Sequence, residues 1–416
     1  MSDIKIADRI KGTEKNVWVE FTELVSQENP VDLGRGFPDF NPPVHVKNAL
    51  ITAATDDSPF IHQYARVKGH KRLVTALAEL YSPIINHNID WATEILITNG
   101  AYGALHTTIQ GLINPGDEVI IIEPFFDCYS PMVKVAGGTP IFIPLRKTEN
   151  TGDVFKSSDF TLDYNEFSSK ITKKTKALIF NNPNNPIGKV YSLEECQQIA
   201  KLCKENNIIV ICDEVYEWIT YDDKKHIKMA SLPDMFNRTL TLGSAGKSFS
   251  VTGWKIGWII GPVHLMKPCV VVHQNVTNSC STPMQEAIAI AMETDLGKLR
   301  RDDSDCYFKS LAKEMQPKRD LAEEFLKETG FHPVRPDGGY FILVNYTDVM
   351  KKSCVTLDNS NEANDYKFIK WMIRNKKISA IPVTVFYSEG HKHLGQNYIR
   401  FCFMKVKESF LYKKRR

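Results

Sequence analysis

Short apolar runs rich in branched residues alternate with helical patterns from about Ala92 to Val215, and this alternation constrains the fold most. ATEILIT, DEVIIIEP, TPIFIPL, KALIFNNP and IIVICDEV read as strands; GALHTTIQGLI, YSPMVKVAG and SLEECQQIAKLCKENN read as helices. Val119–Ile122 and Ile208–Cys212 are apolar without alternation, which suits strands buried on both faces of a parallel sheet covered by helices. Ser192 followed by Glu195 is a capping-box signature for the helix that begins there. The expected architecture is therefore α/β. From about Asp302 the rhythm changes. A charged helix (Cys306–Gly330) precedes GGYFILVNY, a helix in DYKFIKWMIRNKK, and two strands, SAIPVTVF and YIRFCF. These predict a smaller α+β domain, with the N-terminal helix around NVWVEFTELVSQ packed beside it. The expected division is 1–45 (N-terminal arm and part of the small domain), 46–300 (large domain) and 301–416 (small domain).

Composition excludes several classes of function. At 416 residues, 43% hydrophobic and 24% charged, the chain is an ordinary soluble globular protein with room for a sizeable core. A net charge of +3 is too small to suggest nucleic acid or a membrane surface as partner. The apolar runs are too short to span a bilayer, and MSDIKIADRI resembles neither a secretory leader nor a transit peptide. Nine cysteines are scattered without a CxxC, the closest pair being Cys196 and Cys203. That argues against a disulfide frame or a zinc site, so no metal is expected and a reduced cytoplasmic interior is the simplest location.

The stretch TLTLGSAGKSFSVTGWKIGW, Thr239 to Trp258, sets a lysine among small residues and admits three chemistries. A phosphate loop needs GxxxxGK[ST]; Gly246-Lys247-Ser248 supplies its end, but Thr241 stands in place of the first glycine and no helical pattern follows. Ser244 and Lys247 match the SxxK of acyl-serine enzymes, yet no SDN or KTG element accompanies them. In the third reading Lys247 itself attacks a carbonyl, which requires a site that favours the neutral amine. Pyridoxal 5'-phosphate supplies such a carbonyl, with a phosphate and a pyridine nitrogen that each need a protein partner. Both demands are met. Ser244 and Lys255 flank Lys247 as candidate phosphate ligands, and Asp213 ends an apolar strand, where open α/β sheets bind ligands. Each feature alone also fits a solvated loop lysine or a turn-opening aspartate; their joint occurrence favours the chemistry.

SAGKSFSVTGWKIGW, CDEVYEW, NNPNNPIGK, GFPDF, EPFFDCY, QYARVKGHKRL and YIRFCF together resemble fold-type I PLP-dependent aminotransferases. The similarity is closest to the kynurenine aminotransferase group, also called glutamine transaminase K or cysteine-S-conjugate β-lyase, and runs from about Trp18 to Phe403. The resemblance implies a large domain with a mainly parallel sheet covered by helices, plus a smaller α+β domain. It implies that Lys247 bonds covalently to the cofactor, that Asp213 faces the pyridine nitrogen, and that Asn185 and Tyr216 hydrogen-bond the phenolic oxygen. Phe126 and Val215 would pack on the two ring faces. Ala101 and Tyr102, at a helix start, would meet the phosphate with Ser244 and Lys255. Tyr64 would reach the phosphate of a neighbouring subunit, which implies a homodimer. Arg400 would bind the substrate α-carboxylate, assisted by Gly36 and Asn185, and Trp18 would wall the side-chain pocket.

The implied activity is transfer of an amino group from an L-amino acid (kynurenine, glutamine, aromatic or sulfur amino acids) to a 2-oxo acid. Lys247, Asp213 and Tyr216 would form the catalytic set, with cysteine-S-conjugate β-lyase activity as a side reaction. An aspartate- or alanine-type aminotransferase of the same fold, or a catalytically silent relative, is the alternative. Three departures carry expectations of their own. Asn278 and Ser279 stand where some members of the group carry aromatic or imidazole side chains, so a pocket lined by them would be roomier and more polar. Arg35 replaces a usual glutamine and is expected to add a cation near the carboxylate site. After YIRFCFM the chain reads KVKESFLYKKRR instead of a closing amphipathic helix, so the face that helix covers is expected to be exposed or covered by something else, with KKRR as a solvated tail.

Overall fold

The apolar runs assemble into a seven-stranded sheet: β1 (Ile95–Asn99), β2 (Glu118–Glu123), β3 (Thr139–Pro144), β4 (Thr175–Asn181), β5 (Ile209–Asp213), β6 (Thr239–Ser244) and β7 (Ile256–Ile260). The computed structural model describes residues 6–14, 16–148, 155–353, 355 and 361–406, so the end of the chain from position 407, KKRR included, lies outside the described residues. The strand order is β1-β7-β6-β5-β4-β2-β3. Pairing is parallel from β6 through β3, and β7 alone runs antiparallel, to both β6 and β1. Side chains alternate across each strand. Ile95 and Ile97 join the cluster that includes the helices Lys71–Ile85 and Thr282–Arg300, while Leu96 joins the one that includes Gly100–Leu112 and Val263–Val276. Burial on both faces is why these runs are apolar without alternation. The helix Leu193–Glu205 starts at the expected capping box, with the Ser192 side chain accepting from the Glu195 N–H and the Glu195 carboxylate accepting from the Ser192 N–H.

β6 and β7 both come from the lysine-bearing stretch, where small residues break the apolar pattern. Their packing explains those residues. A Cβ on Gly257 would lie 2.5 Å from the Gly100 carbonyl carbon and 2.8 Å from the Ala101 nitrogen, so only glycine lets β7 lie against the start of the helix Gly100–Leu112. On Gly243 a Cβ would strike the Trp258 indole.

A second, antiparallel sheet holds β8 (His332–Val334), β9 (Phe341–Asn345), β10 (Ile381–Pro382) and β11 (Tyr398–Cys402) in the order β8-β9-β11-β10. It accompanies the helices Tyr307–Glu328 and Asn364–Lys376. The N-terminal helix Val17–Glu28 lies against Asn364–Lys376, and Val31–Asp32 pairs in parallel with Ile378–Ser379. SAIPVTVF is not the single strand expected. Ile378–Ser379 pairs with the N-terminal segment, Ile381–Pro382 pairs with β11, and Thr384–Phe386 is a 3-10 turn. The change of partner at Ala380 interrupts the strand.

Gly257→Ala should cost about 1–3 kcal/mol, because the clash is with backbone that cannot turn aside. Urea unfolding checks this, with Gly253→Ala as control, since a Cβ there meets nothing within 4 Å.

Candidate active site

Asn99, Asn181, Asp213 and Ser244 end β1, β4, β5 and β6. Because β7 runs the other way, its first residues reach the same edge, and Lys255 immediately precedes it. Register fixes the neighbours: Asn181 pairs with Asp213, Ser244 with Gly257 and Asn99 with Ile256. A cavity of about 320 Å³ opens at this edge. Trp18, Gly36, Ala101, Tyr102, Phe126, Asn185, Asp213, Val215, Tyr216, Ser244, Lys247, Lys255 and Arg400 all line it. Tyr64 does not; its side chain is 89% exposed on the surface of this chain.

Asp213 is buried at the cavity floor. Its Oδ2 accepts from the Tyr129 hydroxyl at 2.5 Å and its Oδ1 from the Val215 N–H at 3.4 Å. Burial pushes its carboxyl above the usual range, against the lowering effects of those donors and of Lys247. No Lys or Arg is ion-paired to it among the described residues. Asn181 braces the strand end by donating to the Asp213 carbonyl at 2.9 Å, while its Oδ1 accepts from the Asn185 N–H at 2.7 Å. The asparagines of NNPNNPIGK thus fasten the loop through backbone groups.

Lys247 sits in a one-turn helix, Ala245–Ser248, directly after β6. Its side chain is half-buried and lines the cavity. Burial, with Arg400 and Lys255 nearby, lowers its pKa to about 8, against the raising effects of Cys402 and Asp213. About a tenth of the amine is therefore neutral at pH 7, far more than for a free lysine of pKa 10.5. The ammonium or amine hydrogen-bonds the Tyr340 hydroxyl and the Gly36 carbonyl, the latter at 3.4 Å.

Arg400 is fully buried on β11, and no carboxylate pairs with it among the described residues. Nη1 donates to Asn185 Oδ1 at 2.8 Å and Nη2 to the Gly34 carbonyl at 3.1 Å, while Nε has no partner. The guanidinium stacks 3.8 Å from the Phe341 ring centroid and 5.3 Å from that of Trp18. Burial lowers its pKa to about 10, since neutral oxygens and rings only partly replace water. Trp18 is fixed by its indole N–H, which donates to Asp127 Oδ2 at 2.9 Å.

At the other end of the cavity the helix Gly100–Leu112 begins with Gly100 at φ +66°, directing its first N–H groups at the opening beside Ser244 and Lys255. A helix start, a hydroxyl and an ammonium make an anion cradle. Phe126 meets Tyr102 and Tyr129 edge-on, with centroids 5.7 and 6.0 Å away.

The departures fall elsewhere. Arg35 turns away from the cavity into an ion pair with Asp32, its backbone partner in the same turn. Asn278 and Ser279 follow the helix Val263–Val276, where Asn278 adopts φ +64°, and neither lines this chain's cavity. Sequence reasoning missed Tyr129, Phe341 and Tyr340. Tyrosine and phenylalanine next to strand ends look like core, and only a required hydrogen-bond partner for a buried hydroxyl could have flagged them.

The donor set fits a ligand carrying a phosphate, a carbonyl and a ring that takes a proton partner. The cradle offers N–H groups and a cation to an anion, Lys247 an amine, and Asp213 a carboxylate whose charge burial leaves poorly compensated. A second carboxylate-bearing ligand fits Arg400. The Lys247 shift has a consequence for stability. Below about pH 8 the lysine is protonated in both folded and unfolded chains, and the folded state bears the full cost of its burial. That cost vanishes as pH rises from about 8 to the free-lysine value of 10.5. Lys247→Met in the ligand-free chain should therefore be more stable than its parent at neutral pH, by up to about 3 kcal/mol. Urea unfolding of both chains should show the difference shrinking toward zero at high pH.

The family described as aminotransferase class I and II matches residues 28–409. Human kynurenine--oxoglutarate transaminase 3 is 50% identical over 399 residues, covering 96% of this chain and 87% of the relative. Human kynurenine--oxoglutarate transaminase 1 is 44% identical over 400 residues, covering 96% of this chain and 94% of the relative. The crystal structure of Bna3p from Saccharomyces cerevisiae superposes with a TM-score of 0.89 at 31% identity, covering 98% of this chain and 96% of that one. With a lysine, an acid and an arginine converging on a strand-edge cavity and a family match across nearly its whole length, the chain belongs to the class I and II aminotransferases.

Proposed function

We propose that the chain carries out pyridoxal-phosphate-dependent transfer of the amino group of an L-amino acid to a 2-oxo acid, with kynurenine and glutamine as donors and 2-oxoglutarate among the acceptors. The observation that carries this reading is the convergence on one cavity of the buried Asp213 and Arg400 and the half-buried Lys247, three ionisable groups without an opposite ion-pair partner among the described residues. Two similar human proteins bear the name kynurenine--oxoglutarate transaminase, which supports kynurenine as donor and 2-oxoglutarate as acceptor.

When bound, pyridoxal phosphate supplies an aldehyde that takes up the amino group and a ring that accepts the electrons of a broken Cα–H bond. Ala101, Tyr102, Ser244 and Lys255 hold its phosphate; Phe126 and Val215 pack on its ring; Asn185 and Tyr216 hold its phenolic oxygen. Asp213, kept in place by Tyr129, holds a proton at the ring nitrogen. Arg400 grips the donor's α-carboxylate through its planar fork, with Asn185 and Gly36 beside it, and Trp18 walls the side-chain pocket. Lys247, as the neutral amine, would take the proton from the donor's Cα and hold it at Nζ beside the cavity. A donor with a sulfur leaving group on Cβ would lose that group after the same proton removal, which would give β-lyase side activity.

Three further readings follow. A second copy of the chain would complete the site, supported by Tyr64 and Phe60, which are 89% and 78% exposed. Division into a body at 46–300 and a smaller one formed by 1–45 and 301–416 is supported by the pairing of Val31–Asp32 with Ile378–Ser379. Among the described residues eight buried free cysteines support a reducing, cytoplasmic location, and no helix is long and apolar enough to cross a membrane.

Purified protein should be yellow, and borohydride should fix one cofactor on the peptide that carries Lys247. Lys247→Ala and Lys247→Arg should abolish turnover, and Asp213→Asn should lower kcat by about 10²-fold or more. Rates with kynurenine, glutamine, phenylalanine and aspartate over several 2-oxo acids test the donor assignment; aspartate as the fastest donor would overturn it.

A further inference from the structure

Tyr340 immediately precedes β9, fully buried and outside the cavity lining. Its hydroxyl donates to the Gly36 carbonyl at 2.8 Å and accepts from Lys247 Nζ, which also contacts that carbonyl at 3.4 Å. A neutral amine has two N–H bonds and one lone pair. The two oxygens take the two N–H bonds, so the lone pair is left on the side away from them. The third N–H of an ammonium would have no acceptor among the described residues.

Both oxygens are held rigidly. The Tyr340 ring stands edge-on to Tyr216 with centroids 5.0 Å apart. The backbone before it is pressed against the segment after Asp213: a Cβ on Gly338 would lie 2.8 Å from the Ile219 carbonyl, and the Gly339 carbonyl accepts from the Tyr221 hydroxyl. Gly36 is pinned as well, since a Cβ there would lie 2.5 Å from the Phe341 ring. Burial pushes the Tyr340 hydroxyl well above its ordinary range, so it stays protonated and keeps donating to Gly36.

We propose that Tyr340 is a positioning residue: with the Gly36 carbonyl, its hydroxyl docks the Lys247 amine whenever that amine is detached from the cofactor, and aims its lone pair for proton transfer. The proposal rests on the proposed function, in which the detached amine must wait in place to take a proton and hold it.

The test uses Tyr340→Phe, which keeps the ring and removes the hydroxyl. Holoenzyme is carried through one half-reaction with excess donor and then freed of donor, leaving the lysine unattached. Competitive acetylation with acetic anhydride across a pH series, read by mass spectrometry at Lys247, gives its titration midpoint. Loss of an N–H acceptor disfavours the ammonium more than the amine, so the midpoint should fall by about 0.5 pH unit or more in the variant. In steady state, kcat should fall about tenfold with little change in donor KM, and the α-deuterium isotope effect should rise as proton transfer becomes slower. An unchanged midpoint or an unchanged isotope effect overturns the proposal. Borohydride labelling of the parent enzyme separates this from the wider reading: a label on another peptide sinks the proposed function whatever Tyr340→Phe does.

Discussion

A guanidinium taken out of water needs a carboxylate to offset its lost hydration, and Arg400 has only carbonyl oxygens and aromatic faces. The same deficit recurs across the cavity at Asp213 and Lys247. Each is held where its charge is unfavourable and where a ligand of opposite or complementary character relieves it. The adjoining residues show the contrast. Glu214, next to Asp213, is equally buried but pairs with Lys228 at 2.7 Å, so its carboxyl is held down to about 2 while Asp213 is pushed up. Lys228 also bonds Glu217, whose carboxylate takes the Tyr81 hydroxyl. One step along the chain separates an internally satisfied ion cluster from an acid left for a ligand. His226 joins Glu214 and Glu217 in a grouping with metal-ligand spacing, but the Lys228 ammonium sits between the two carboxylates.

Topology is what makes that deficit local. Parallel strands send their C-terminal residues to one edge, and a single reversed strand, β7, sends its N-terminal residue there too. Asp213, Ser244 and Lys255 meet for this reason, although they span more than forty positions. The reversal itself depends on Gly257, since any side chain would push β7 off the helix start that forms the anion cradle. The second sheet then closes the cavity from across, bringing Arg400 on β11 and Phe341 on β9.

Much of this was legible in the residues. The Val/Ile runs announced the strands because burial on both faces leaves no polar alternation, and Ser192 with Glu195 announced a helix start through side-chain chemistry alone. Lys247, Asp213, Ser244 and Lys255 could be grouped because the chemistry of a reactive lysine demands such partners. Trp18, Gly36 and Phe126 entered only through resemblance to a family. In the sequence Arg35 reads as a cation near the carboxylate site, but Asp32, three residues away, captures it, and a local ion pair is invisible until the turn is formed. Asn278 and Ser279 fell outside this chain's cavity because the turn after their helix carries them elsewhere.

The sequence by itself determined the α/β rhythm, the reactive lysine and its acid, since periodicity and residue chemistry act over short stretches of chain. Tertiary structure alone decided which aromatic hydroxyls serve that chemistry. Tyr129 and Tyr340 reach Asp213 and Lys247 across 84 and 93 positions, and nothing local marks a buried tyrosine as a partner rather than as core. A hydrogen bond requires two atoms to meet within about 3 Å. Strand register and sheet packing bring these pairs together; neighbourhood in the chain does not.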